Sequence, residues 1–400
     1  MHNSISSGTK IGRLWTLYPI ALFFWSVSLP LFSFYSFEYA ALPILSVSLL
    51  IFLLWIRASG VNAKDLYVRK GVLFYPFVFL LIANMLSLVN AHDIASGIKM
   101  ITAWMVIFFL YILIINTLKE FPSFLKFSKT FTIICFLLSI WGAFLFFNGK
   151  TTKGINPFSG TPLESNHFAF LVEEALFFAF SLHGMSKKKG FNFWTFIFLS
   201  LLFVLIFTYS RGSWLASLIS LFYYVLVMKK FFKMRGTLLI ILALFIIFLV
   251  VYNSPYLQWH VKSILSPTKY ASLRAYAEGE ALKSFLQHPI IGVGIDNFSI
   301  DYHGLIMAGT ADLYSRILVE TGVIGFFFLL YLLFKIWRHL LKGIHVAVPG
   351  SKEQLLQMGF LGGFLANIID FCFFGVIFPA WWTHFFIGIA LANIIIRRKK

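Results

Sequence analysis

Three carboxylates fall inside apolar runs of this 400-residue sequence: the adjacent Glu173 and Glu174, and Asp370. A charge at bilayer depth costs about 2.5–3.5 kcal/mol on insertion scales, so such groups face a polar cavity or a partner. They are default candidates for a substrate site or a proton relay. Arg316, roughly one turn into another apolar run, is a similar case, and Glu320 follows at i+4, the spacing of an intrahelical ion pair. That spacing serves either a structural pair or the lining of a cavity. Gly149-Lys150-Thr151 imitates the end of a phosphate-binding loop, but position 144 is Phe where that pattern requires Gly. No His/Cys cluster has zinc spacing and no paired-aspartate metal motif stands out, so a metal-independent, cofactor-free chemistry is expected. Cys135 and Cys372 both fall in apolar runs and are read as small lipid-buried residues without a disulfide.

These residues sit in an unusual background. Hydrophobic residues make up 60% of the chain and charged residues 12%, about half the usual charged share. A soluble fold of that composition lacks the polar surface to cover itself. A soluble enzyme, a disordered tail and a disulfide-rich secreted scaffold are excluded. A bilayer core takes about 20 apolar residues per helix, and runs of that kind lie near 17–34, 37–56, 71–89, 98–115, 131–147 and 166–184. Six more lie near 191–208, 213–228, 236–252, 313–337, 355–377 and 379–396. The expectation is an all-α polytopic membrane protein of about 12 transmembrane helices.

The net charge of +18 is decided by its distribution. With twelve helices, one set of loops holds 24 of the 33 basic residues and the other set 7, while Lys99 and Arg316 lie within helices. That asymmetry places both termini in the cytoplasm and makes the excess a topology signal, not a nucleic-acid footprint. The first run, without a small-residue cleavage site after Phe34, reads as an uncleaved anchor.

Organisation follows: helices one to nine over 1–252, an outer loop over 253–312, and helices ten to twelve over 313–400. The loop is too long for a connector, and its aromatic residues argue for order. Ala277–Gln287 has helical spacing with Ala281, Leu282 and Phe285 on one face, His288-Pro289 ends it, and Gly292, Gly294 and Asp296 make a tight turn. A structured cap over an outward-facing cavity is expected. Arg211 and Arg274 are the two arginines on that outer side.

An ordered set of segments then resembles the O-antigen ligase and O-antigen polymerase superfamily of bacterial envelope glycan assembly. Ser210-Arg211-Gly212 with Leu215-Ala216 is similar to that family's S-R-G-x-x-L-A element. Arg274, Ala281-Leu282 and His288-Pro289-Ile290-Ile291-Gly292-Val293-Gly294 resemble its arginine, apolar helix and h-P-l-x-G-v-G run. Leu318-Val319-Glu320-Thr321-Gly322-Val323-Ile324-Gly325 is similar to its L-x-E-x-G-x-x-G. Gly160-Thr161 with Asn166-His167-Phe168-Ala169 is a weaker fourth element. The matches span about 160–325. In one respect the chain departs: nine residues before the Glu-x-Gly, where the ligases carry His-Asn, stands Ala311-Asp312.

The resemblance implies a GT-C-like membrane glycosyltransferase in the bacterial inner membrane. It would move a glycan from an undecaprenyl-diphosphate carrier, on the periplasmic face, to lipid A–core (ligase) or to another carrier-linked glycan (polymerase). The missing His-Asn leans slightly towards the polymerase. The leaving diphosphate calls for arginine, whose planar fork bonds phosphate oxygens bidentately, so Arg211 and Arg274 are the expected diphosphate ligands. A headgroup anchor is the plainer role for Arg211. The acceptor hydroxyl needs a proton acceptor, for which Asp312 and His303 are candidates, each equally at home as a water-facing loop residue. Asn166, His167, Arg316 and Glu320 are possible cavity lining. His288 reads as structural, and Lys262, Lys269 and Lys283 as solvated loop charges. The alternative is a transporter or flippase of lipid-linked oligosaccharide, which the intramembrane carboxylates also suit. Against it, the only long loop lies in the second half, without the matching half-repeat that transporters show.

Overall fold

A computed structural model describes residues 13–21, 47, 49–51, 53–54, 57, 69–151, 154–157, 165–186, 191–228, 269–302, 305–308, 312–374 and 379–399. Within them run α1 (Phe74–Ser87), a 3₁₀ turn (Leu88–Asn90), α2 (Ile94–Thr117), α3 (Phe121–Phe147), α4 (Ser165–Met185), α5 (Phe193–Phe207) and α6 (Arg211–Met228). Then come α7 (Lys269–Gln287), β1 (Ser299–Tyr302), β2 (Leu305–Ala308), α8 (Leu313–Val346), α9 (Lys352–Asp370) and α10 (Pro379–Arg398). The chain is mostly helical and polytopic.

Polar residues set the helix starts. Asp93, Asn192, Asp312 and Ser351 each accept an N–H of the first turn that follows, and Pro122 occupies the first turn of α3. α2, α3, α4 and α8 are long and apolar enough to cross a membrane, and the stretches Phe74–Asn90 and Phe193–Phe207 are shorter apolar helices. The composition of α8 shows what surrounds it. Leu329, Leu332, Ile336 and Leu340 are buried, yet Val323, Phe327, Leu330 and Phe334 form an exposed apolar stripe at helical spacing on another face. A helix apolar on its packed face and on its exposed face belongs in lipid.

Nine of the twelve expected runs coincide with described helices; those at 17–34, 37–56 and 236–252 lie wholly or largely outside the described residues. Three expectations are corrected. The helix of the outer segment starts at Lys269 rather than Ala277, and the all-α expectation misses a strand pair there, Ser299–Tyr302 antiparallel with Leu305–Ala308. The run expected to continue to 377 breaks at Asp370, where the backbone turns through Phe371–Phe373. Cys372 lies in that turn and is exposed, whereas Cys135 is buried as expected.

α4 is the most enclosed helix, buried from His167 to Leu182. α9 packs closely along it because Gly359, Gly362 and Gly363 face it. A Cβ on Gly362 would lie 2.3 Å from Phe177 Cδ1, and one on Gly359 2.7 Å from Ser181 Oγ. Small residues at this spacing let two helix backbones approach without a hydrophobic drive between them. Around this pair the aromatic core gathers Phe77, Trp104, Tyr111, Trp382 and Phe386.

Candidate active site

The α5–α6 connection is a three-residue turn, with Tyr209 held at φ +57°, so α6 begins at Arg211. Ser213, in its first turn, donates to Asp370 Oδ2 at 2.6 Å, and Ser210 Oγ lies 2.9 Å from Ser213 Oγ. Gly212 permits the approach, since a Cβ there would sit 2.8 Å from Asp370 Oδ1. The start of α6 is therefore docked on the end of α9. From the other side the start of α8 is docked there too: Leu313 N–H donates to Phe371 O at 2.9 Å and Tyr314 Oη to Ile368 O at 2.7 Å. The first turn of α4 completes the cluster through His167, whose ring meets Phe374 edge-on at 4.6 Å. Three helix starts thus converge on the turn at residues 370–374. Helix N-termini carry the positive end of the helix dipole, and two of these starts already meet a carboxylate, α8 that of Asp312 and α6 that of Asp370.

A second polar centre pins the outer segment to the bundle. Arg316 Nε donates to Glu320 Oε1 at 2.9 Å, and a terminal nitrogen of Arg316 donates to Asp296 Oδ1 at 2.5 Å. Ser96 Oγ donates to Asp296 Oδ2 at 2.6 Å, Asn90 Nδ2 to Gly292 O at 2.7 Å, and Asn297 bonds the backbone of Asp93. The turn after α7 also interrupts α8. At Gly322 (φ +65°) the helix loses its own backbone bonds, and Val293 and Gly294 N–H donate to Val319 and Glu320 carbonyls, while Val323 N–H donates to Pro289 O. Ala277, Ala281, Phe298, Ile300 and Val319 form a small separate core beneath α7.

The expected site residues fall into distinct places. Arg211 is partly buried at the start of α6, and Arg274 is exposed on α7. Asp312 is partly buried and caps α8, its Oδ1 accepting Ser315 N–H at 2.8 Å. Asn166 and His167 lie in the first turn of α4, His167 buried. Arg316 and Glu320 are joined, but through Asp296 their pairing serves the seam between turn and bundle. His303 lies outside the described residues, as do Lys262 and the weaker Gly160-Thr161 element. Lys283, expected as a solvated loop charge, lies on α7 and pairs with Glu280 at 2.6 Å, which holds its ammonium above the usual lysine range.

The buried carboxylates were flagged in the sequence, but their partners were not foreseen. Asp370 was flagged as an intramembrane carboxylate, but its partner Ser213 was not. Glu173 accepts from Ser217 at 3.0 Å and Glu174 from Asn367 Nδ2 at 2.9 Å, while Glu174 Oε2 lies 2.5 Å from His384 Nδ1. His384 is buried between Phe131 and Phe178. The signal available was its lone imidazole in an apolar run; its partner stands 210 positions away. Among the described residues, no group of three metal-ligating side chains occurs.

Comparison with curated proteins gives no match. A family model described as O-antigen ligase matches residues 196–330, from the first turn of α5 into the middle of α8. The matched stretch takes in Arg211, Arg274, the Gly292–Asp296 turn, Asp312, Arg316 and the break at Gly322. Over that stretch the chain matches the O-antigen ligase family model, which supports the O-antigen ligase/polymerase superfamily.

Proposed function

We propose that the protein is a membrane glycosyltransferase of about twelve transmembrane helices and GT-C-like architecture, working at the periplasmic face of the bacterial inner membrane. Its donor is an undecaprenyl-diphosphate-linked glycan and its acceptor another glycan, on a second carrier or on lipid A–core. The observation that carries the reading is the O-antigen ligase match over the segment that contains both the α6 start and the docked turn.

The chemistry assigned to these residues is simple. The acceptor hydroxyl attacks the anomeric carbon, the bond from that carbon to the diphosphate oxygen breaks, and the hydroxyl proton leaves to a carboxylate. Arg211, backed by the N-terminal dipole of α6, receives the developing charge on the diphosphate. Arg274 approaches it from α7. Asp312, at the start of α8, accepts the proton, either itself or with His303. Asp370 stands next to both helix starts and orients Ser213. Since Ala311-Asp312 replaces the His-Asn of the ligases, the acceptor is assigned slightly in favour of a carrier-linked repeat, which is polymerisation.

The buried Glu173–Glu174–His384 cluster favours a second reading, a transporter or flippase of the same lipid-linked oligosaccharide. Deleting the gene and analysing the surface glycan separates these. Single-repeat lipopolysaccharide identifies a polymerase. Loss of long chains from lipid A–core, with polymer retained on the carrier, identifies a ligase. Lipid-linked repeats trapped on the cytoplasmic leaflet identify a flippase, and an unchanged glycan overturns all three.

A further inference from the structure

At the end of the bundle opposite the 370–374 turn, a cavity of about 310 Å³ opens between the C-terminal ends of α2 and α10 and the segment before α1. Arg69, Lys119, Arg397 and Arg398 line it, together with Asn393 and the apolar wall of Ile115. Among the described residues, Arg398 is the one of these cations that meets a carboxylate, Glu353 at 3.5 Å. Partial desolvation, then Arg69 and Arg397 beside it, hold the Lys119 ammonium below the usual lysine range.

The main chain of Arg69 is held beside the pocket. Asn116 Oδ1 accepts Arg69 N–H at 3.0 Å and its Nδ2 donates to Arg69 O at 3.2 Å, so Arg69 is clamped to the end of α2. Asn393 Oδ1 is taken by His339 Nε2 at 2.9 Å, which leaves its Nδ2 group as a neutral donor. The negative ends of the α2 and α10 dipoles offset part of the repulsion. A charge asymmetry needed only for topology is met by cations anywhere on the loops; here they converge on one concave, half-apolar pocket.

We propose that this pocket binds a phosphate-bearing anion, with the apolar wall taking the first carbons of a lipid and the cations its phosphate. An anionic phospholipid headgroup and free inorganic phosphate share that chemistry. Basic pockets between membrane helices recognise such groups, at about fivefold in affinity per cation.

The test uses the full chain in detergent, with native mass spectrometry against phosphatidylglycerol, phosphatidylethanolamine and inorganic phosphate. Wild-type protein is expected to retain phosphatidylglycerol in preference to phosphatidylethanolamine, and a Lys119→Gln/Arg397→Gln variant to bind it about 30-fold more weakly. Lys119→Arg is expected to bind as wild type. If inorganic phosphate displaces the lipid and binds with the same variant dependence, the ligand is the free anion; if the lipid stays, it is the headgroup. Both exposed cations can also be replaced singly, each with about a fivefold loss, should the double variant unfold. Equal binding of both lipids and of phosphate by wild type and folded variants overturns the proposal.

Discussion

Arg316 and Arg211 both stand near helix starts, yet their removal has opposite consequences. Arg316 is enclosed and bonded to Glu320 and Asp296. Arg316→Leu leaves two carboxylates facing each other without a cation, and breaking a buried pair from one side costs about 3–5 kcal/mol. The expected outcome is a large fall in thermal stability in detergent, with little folded protein recovered. Arg211 is half-open at the α6 start, so Arg211→Ala is expected to leave the melting temperature within a degree or two and to cut glycan transfer about 100- to 1000-fold, the effect of losing one preorganised charge-stabilising donor. Arg211→Lys keeps the charge but loses the fork, and should recover a minor part of the rate in a transfer assay with lipid-linked donor. An Arg211→Ala protein of undiminished activity would remove the arginine from the reaction. The i+4 spacing made Arg316–Glu320 legible in the sequence. Its third member was not, because Asp296 reaches it only after the chain has turned back from α7, and nothing local records that closure. His384 and Glu174 were hidden for the same reason, since their pairing depends on how α10 packs across α4.

At the scale of elements, the motif glycines were legible as a tight turn but their purpose was not. Gly292 and Gly322 hold positive φ, and each lies where the other's backbone passes: a Cβ on Gly292 would be 2.3 Å from the Glu320 carbonyl, and one on Gly322 2.2 Å from the Ile290 oxygen. The break in α8 exists to let the turn bond its exposed carbonyls, which an apolar 34-residue run does not announce. Gly292→Ala combines a left-handed backbone, about 1–3 kcal/mol for a strained residue, with a collision against backbone that cannot rotate away. Limited proteolysis should then cut within 269–312 much faster than in wild type. Gly279 is the control. It lies inside α7 with open space around its Cα, and Gly279→Ala should stabilise that segment by about 0.5–1 kcal/mol. Faster cleavage of Gly279→Ala would mean that α7 is held by something other than its helix and the small core beneath it.

At the scale of the whole molecule, the helices have two unlike ends. One gathers Arg69, Lys119, Arg397 and Arg398; the other gathers Asp312, Asp370, His167 and the start of α6. The loop charges alone lead to the expectation of such a polarity, whereas nothing in the composition records which side chains pair. Native Cys372 reports on it directly, being exposed in the turn beside the three helix starts, while Cys135 is enclosed in the core. With the first end in the cytoplasm, a membrane-impermeant maleimide added to spheroplasts should label the wild-type protein at Cys372 and leave Cys372→Ser unlabelled. Arg397→Cys in the Cys372→Ser background should react only after the membrane is permeabilised. Because Cys372 lies close enough to Asp312 and Asp370 to feel both charges, the same label should also block glycan transfer, and bound lipid-linked donor should slow its attachment. Labelling of Arg397→Cys in intact spheroplasts, with Cys372 silent, would invert the protein in the membrane and place the α6 start on the side that holds nucleotide sugars. Labelling from the outer side without loss of transfer would keep the orientation but move the chemistry away from the 370–374 turn.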